Sequence, residues 1–218
     1  MRKRPNILWL CTDQQRFDTI HALGNPHIRT PNIDRLCREG VAFTQAYSQS
    51  PVCTPSRASF MTGLYPSAVH VNTNGNIRYP GRAPLLSKLL ADQGYDCGLV
   101  GKLHIASCWE RLEARTDDGY RVFVHSHSCS WGLPELNEYG KWLLSQGHAL
   151  EDALQAKVVD GKTVYTGHRP DCPVELHHAV WCADRAIDFL REEREGPWLM
   201  SLNWFDPHPP FDAPLAYA

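Results

Sequence analysis

Asn6-Ile7-Leu8-Trp9-Leu10-Cys11-Thr12-Asp13-Gln14-Gln15-Arg16 decides the fold. An unbroken apolar run ended by a polar cluster describes a central strand covered on both faces, whose carboxyl end delivers Asp13 and Gln14 to a loop. Outward from it, helices and strands alternate. After Pro31, Asn32 to Glu39 sets Ile33, Leu36 and Cys37 at helical spacing and stops at Gly40, ahead of a strand at Val41-Ala42-Phe43-Thr44. A second helix begins just after Cys53, with Thr54 as N-cap, Pro55 in the first helical position and Gly63 as the stop. Pro84 opens a third through Leu85, Leu86, Leu89 and Leu90 to Gly94, before the strand Cys97-Gly98-Leu99-Val100 and the sequence Gly101-Lys102-Leu103-His104. Residues 107–173 read as long loops with one or two short helices. A helix from Val174 to about Glu193, with Leu176, Val180, Ala183, Ile187 and Leu190 on its apolar face, leads to a strand at Trp198 to Phe205 and on to Asp206-Pro207-His208-Pro209-Pro210.

This alternation specifies an α/β fold with a largely parallel sheet and helices on both faces, three layers in all. Sites in such sheets form beyond the carboxyl ends of the strands. Asp13-Gln14, Lys102-His104 and His208 each follow a predicted strand, which implies one shared site. Lys plus Arg number 22 against 24 Asp plus Glu, so no bulk charge draws nucleic acid or an anionic membrane. The Ile7–Cys11 run is too short for a secretory segment, and no stretch approaches the roughly 20 apolar residues of a membrane span, so a cytoplasmic location is expected. The eight cysteines form no Cys-x-x-Cys pair, which argues for reduced thiols, several of them in the core. The oligomeric state is not legible.

Cys53 sits at a predicted helix N-terminus with Arg57 one turn on, an arrangement that suits an anion but also describes an ordinary buried cysteine. The longer run Pro51-Val52-Cys53-Thr54-Pro55-Ser56-Arg57-Ala58-Ser59-Phe60-Met61-Thr62-Gly63 resembles the sulfatase signature throughout. The resemblance implies that a formylglycine-generating enzyme reads Cys53, Pro55 and Arg57 and converts Cys53 to formylglycine. In that chemistry one hydroxyl of the hydrated aldehyde attacks sulfur, the alcohol leaves, and the other hydroxyl expels sulfate, an exit closed to a thiol. It also implies Ca2+, or another divalent cation such as Mg2+ or Mn2+, held by oxygen ligands at Asp13, Gln14 and the modified Cys53. Gln14 stands where many sulfatases have a second Asp. The Asp-Gln opening resembles the choline-sulfatase and phosphonate-monoesterase branches of the alkaline phosphatase superfamily.

Lys102 and His104 match the family's Gly-Lys-x-His motif, which implies that Lys102 bonds sulfate and His104 orients the formylglycine. His208 matches a Pro-His-x-Pro segment, which implies contact with sulfate and donation to the leaving oxygen. Asn74 in Thr73-Asn74-Gly75-Asn76 falls where Asp-Gln relatives carry a substrate-binding Asn, and reads equally as a turn. Trp109 and Trp131 are walls for a ring-bearing substrate or core residues; His125 and His127 line a substrate pocket or, as loop histidines more often do, stand exposed.

The expected product is a single N-terminal catalytic domain over residues 1–218, incomplete because the family's remaining metal ligands and a second Lys lie downstream. Its expected activity is hydrolysis of a small-molecule or saccharide sulfate ester. The alternatives are a phosphonate monoester or phosphodiester hydrolase with the same nucleophile, or a catalytically incompetent module. On this reading the isolated, metal-loaded 218-residue chain turns over little or no sulfate ester, and a measurable steady-state rate would contradict it.

Overall fold

The computed structural model describes residues 4–109, 111–130 and 134–217. Its elements are β1 (Ile7–Cys11), α1 (Pro31–Glu39), α2 (Cys53–Thr62), α3 (Leu86–Asp92), β2 (Asp96–Gly101), β3 (Val122–His125), α4 (Glu138–Ser145), α5 (Leu150–Ala153), β4 (Leu154–Val159), β5 (Lys162–His168), α6 (His178–Arg191) and β6 (Trp198–Asn203). Four strands make a parallel sheet in the order β1-β6-β2-β3, while β4 and β5 form a separate antiparallel hairpin.

Because side chains alternate along a strand, the sheet feeds two cores. Cys97, Leu99 and Leu199 face Ala58 and Met61 of α2 and Leu85 ahead of α3. Val100, Met200 and Leu202 face Tyr139 and Leu143 of α4 and Trp181 and Phe189 of α6. Helices therefore cover both faces, giving the α/β arrangement that the alternation of elements specifies and the alkaline phosphatase-like fold that the resemblance implies.

Several local expectations are corrected. Among the described residues β1 is an edge strand rather than a central one, and Leu8 and Leu10 on one of its faces are each 47% exposed because no described helix covers them. Residues 41–44 form no strand: no described neighbour pairs with them, and Val41 and Phe43 stand in solvent. The loop-like stretch 107–173 holds β3 and the β4–β5 hairpin besides two short helices. The long helix predicted from Val174 is broken at His177, whose extended backbone separates a 3-10 turn at Val174–Leu176 from α6. Its buried face is also not the predicted one: Trp181, Cys182, Ala186 and Phe189 are buried and Ile187 is 41% exposed. Two aromatic side chains hide more apolar area than Val180 and Ile187, so they set the helix rotation. All eight thiols are unpaired, and five of them are buried. No helix among the described residues is long and apolar enough to cross a membrane.

The register positions the site. Cys11 pairs with Asn203, Asn203 with Gly101, and Gly101 with His125, so the last residues of all four strands lie in one row. Lys102 N–H donates to the Asn203 carbonyl at 2.8 Å and Trp204 N–H to that of Cys11 at 2.8 Å, so the chains leave the sheet together. Gly101 permits this, because at φ 90° a Cβ there would lie 2.1 Å from the Asn203 carbonyl oxygen. Gly101→Ala is therefore expected to cost about 3 kcal/mol or more through backbone strain plus overlap. Gly63→Ala, at φ 71° but facing open space, is expected to cost about 1 kcal/mol. Urea midpoints of the two variants check the contrast.

Candidate active site

Asp13 emerges from β1 into a buried position, with its backbone N–H held by the Asp206 carbonyl oxygen at 3.1 Å. Lys102 Nζ lies 2.6 Å and Arg57 Nη2 3.0 Å from the same oxygen, Asp13 Oδ2. Arg57 also donates through Nη1 to the Lys102 carbonyl at 2.8 Å. Burial alone would raise the Asp13 pKa, but the charges and hydrogen bonds of Lys102 and Arg57 outweigh it and hold the carboxyl below its ordinary value. Lys102 is 1% exposed, and burial with the Arg57 charge lowers its pKa against the opposing pull of Asp13. Two cations face one carboxylate here, an excess of positive charge out of water that suits an anion.

Cys53 is the first residue of α2, with Val52 as N-cap, so the helix starts one residue earlier than the sequence suggests. Thr54 does not cap: its hydroxyl is buried without a partner. Its N–H instead donates to Oδ1 of Asn74 at 3.0 Å, so a side chain from twenty residues on replaces the local cap. Asn74 thereby fixes the turn that carries Cys53. Cys53 Sγ, an oxygen of Asp13 and a ring nitrogen of His208 all lie within 4.8 Å of one another.

His104 follows Lys102 in a left-handed conformation, φ 53°. The N–H groups of His104, Ile105 and Ala106 converge on the carboxylate of Glu113 at 2.7, 2.7 and 3.0 Å, a concave backbone nest filled by a side chain. His125 Nε2 completes the set at 3.0 Å from Glu113. Desolvation pushes the Glu113 pKa up, but the His125 bond and charge, the His104 charge and the backbone N–H bonds together hold it below its ordinary value. The His104 ring is buried edge-on against His127, with centroids 4.3 Å apart. Desolvation, reinforced by Lys102, lowers its pKa to about 3, so the imidazole is neutral at physiological pH. Neither Glu113 nor the burial of His127 was visible in sequence: Glu113 lies in a charged run that looks like solvated surface, and His127 in a loop.

His208 lies half-buried beside Phe205, ring centroids 4.4 Å apart, and its Nδ1 donates to the Pro209 carbonyl at 2.7 Å. Gln14 is exposed with φ 55° and lines an open cleft of about 990 Å³ together with Arg16, Trp204, Asp206 and Phe211. That cleft lies next in sequence to Asp13 and His208 but is not lined by Cys53, Lys102 or His104. Trp109 is 69% exposed and lines no part of it, and Trp131 lies outside the described residues.

Comparison with known proteins identifies the family and the fold. The sulfatase family profile matches residues 5–218. An uncharacterized sulfatase, YidJ, of Escherichia coli (strain K12) is 31% identical over 229 residues, covering 99% of this chain and 41% of its own length. An arylsulfatase of Clostridium perfringens (strain 13 / Type A) is 29% identical, covering 98% of this chain and 45% of its own. Among solved structures, the phosphonate monoester hydrolase SpPMH of Silicibacter pomeroyi superposes with a TM-score of 0.72 at 22% identity over 98% of this chain and 44% of that one. The chain thus spans less than half the length of these relatives.

Removing Asp13 charge strands two buried cations. Asp13→Asn is therefore expected to destabilise by about 3–5 kcal/mol, read by urea unfolding. For Glu113 the sign follows from its depressed pKa: its contribution is complete above the unfolded carboxyl value of about 4.3 and is lost as pH falls through the lower folded value. Glu113→Gln is accordingly expected to be less stable at neutral pH and to lose less stability than the parent as the pH falls below about 4.3. Parallel acid limbs in the two proteins would contradict this.

Proposed function

Because the chain belongs to the sulfatase family, matched over residues 5–218, we propose that it carries the nucleophile portion of a sulfate monoester hydrolase, with Cys53 as the precursor of a formylglycine. The observation that carries this is the meeting of Cys53, Asp13 and His208 within 4.8 Å, with Lys102 and Arg57 both bound to Asp13. Lys102, His104 and Arg57 support a sulfate ester, whose tetrahedral anion fits an excess of buried positive charge. A formylglycine-generating enzyme is the implied partner that installs the aldehyde, whose hydrate would supply the attacking oxygen at the place that Cys53 Sγ now holds.

The residues fit a hard divalent cation in part. Among the described residues Oδ1 of Asp13 has no partner, because both basic side chains use Oδ2. Gln14 offers an amide oxygen and residue 53, once converted, another. A cation such as Ca2+, Mg2+ or Mn2+, when bound, would lower the pKa of the attacking hydroxyl and offset sulfate charge. Such an ion takes about six to eight oxygens as Ca2+, and with two basic groups already against one carboxylate it needs acidic ligands beyond those described.

The chain's own side chains divide the remaining work. Lys102 and Arg57 hold sulfate oxygens in a desolvated pocket, where their charge acts at full strength. Neutral His104 orients the nucleophile by hydrogen bonding without adding to that charge. His208, its Nδ1 committed to Pro209, presents its other nitrogen toward the leaving oxygen as the proton donor when protonated. Asn74 keeps the start of α2 in place. The cleft walled by Gln14, Trp204 and Phe211 takes the alcohol, and its aromatic lining suits a ring. A second reading, phosphonate monoester hydrolysis by the same nucleophile, is favoured by the fold match to SpPMH.

Coexpression with a formylglycine-generating enzyme followed by intact-mass and peptide analysis is expected to show residue 53 lighter by the thiol-to-aldehyde change, and an unmodified Cys53 overturns the proposal. With matured protein that also supplies the remaining metal ligands, an aryl sulfate is expected to be a better substrate than an aryl phosphonate. Lys102→Ala is expected to lower kcat about 100- to 1000-fold. A preference for the phosphonate selects the second reading.

A further inference from the structure

A second group of donors is made of other residues than the one that holds Cys53. His104, Cys108 and His127 are all buried, and one ligand atom of each falls within 4.8 Å of the others. A tetrahedral ion with metal–nitrogen bonds near 2.0–2.1 Å and a metal–sulfur bond near 2.3 Å places its donors roughly 3.4–3.6 Å apart, so closing the set takes side-chain rotations of about an ångström. His104 Nδ1 is buried with no hydrogen-bond partner among the described residues, a polar atom whose desolvation nothing yet offsets. We propose that His104, Cys108 and His127 form a buried binding site for a soft divalent cation of the Zn2+ type, distinct in position and in donor chemistry from the oxygen-rich site at Asp13.

The donor set selects the ion. Two imidazoles and a thiolate with no oxygen suit Zn2+ and discriminate against Ca2+ or Mg2+, which take carboxylate and carbonyl oxygens. Both imidazoles are neutral, because desolvation holds the His104 pKa at about 3 and that of His127 well below its ordinary value, so neither must shed a proton to ligate. Cys108 must: desolvation, with the Glu113 charge beside it, pushes its thiol up to about 12. Binding therefore releases the thiol proton to solvent as the metal–sulfur bond forms, and only an ion with high thiolate affinity offsets that cost. The Glu113 carboxylate lies on the favourable side of the charge balance, Lys102 and Arg57 on the other. Its backbone is preorganised, since Glu113 already fixes residues 104–106. A filled site would commit His104 and take it from the orienting role proposed for it, so Zn2+ would slow ester turnover. That consequence rests on the function proposed above, while the binding itself does not.

Co2+ titration of the purified chain tests the binding directly, because a cobalt–thiolate bond gives a charge-transfer absorption that an oxygen-ligated ion lacks. The parent is expected to develop this band and lose it on adding Zn2+. Cys108→Ser and His127→Gln are each expected to abolish it, and Cys53→Ser to leave it intact. Circular dichroism and urea midpoints identify a variant that fails to fold, and Cys108→Ala then serves in place of Cys108→Ser. A parent without the band, a band that survives in folded Cys108 variants, or one that disappears with Cys53→Ser overturns the proposal; the last outcome places the ion at Asp13, Cys53 and His208.

Discussion

The structure depends on one carboxylate oxygen. Asp13 Oδ2 receives Lys102 from the end of β2 and Arg57 from α2, while the Asp13 backbone is bonded to Asp206 after β6. Three strand ends and the helix bearing Cys53 are thus tied at one buried point. Burying two cations against one anion is costly by itself, and hydrophobic groups of similar volume would commonly stabilise the fold as well or better. Under the proposed function the arrangement makes physical sense as a site kept electropositive and dry for an anion.

Much of the fold was legible because hydrophobic periodicity records burial. The strands at 7–11, 96–101 and 198–203, and the helices at 31–39, 53–62 and 86–92, all sit close to where apolar spacing and Gly or Pro punctuation put them. Where the reading failed, the deciding information was not local. Val41 to Thr44 has the composition of a strand but no described partner to complete its hydrogen bonds. For α6 two interleaved apolar faces were available, and only the sheet's demand for Trp181 and Phe189 distinguished them. β3 is four residues long and paired on one side, too short to announce itself.

The candidate site divides in the same way. Cys53, Arg57, Lys102, His104 and His208 stand in short motifs, and parallel topology with a common register brings Asp13, Cys53, Arg57, Lys102 and His208 together with no further information. The contacts that escaped act through the backbone. Glu113 binds three successive N–H groups, and Asn74 binds one at the start of α2, neither contact having a sequence pattern of its own. A carboxylate in a charged run looks like surface until the loop that encloses it is known.

Glu113 also explains how the His104 backbone holds its left-handed conformation. A non-glycine residue at φ 53° costs about 1 kcal/mol or more, and three charge-assisted hydrogen bonds to one carboxylate outweigh that strain. With its backbone fixed from below, the His104 ring lies edge-on against His127, and one ligand atom of His104 falls within 4.8 Å of those of His127 and Cys108. The nitrogen and sulfur of that proposed group suit a softer ion than the carboxylate oxygen of Asp13 does, so the ion that one group accepts is poorly suited to the other.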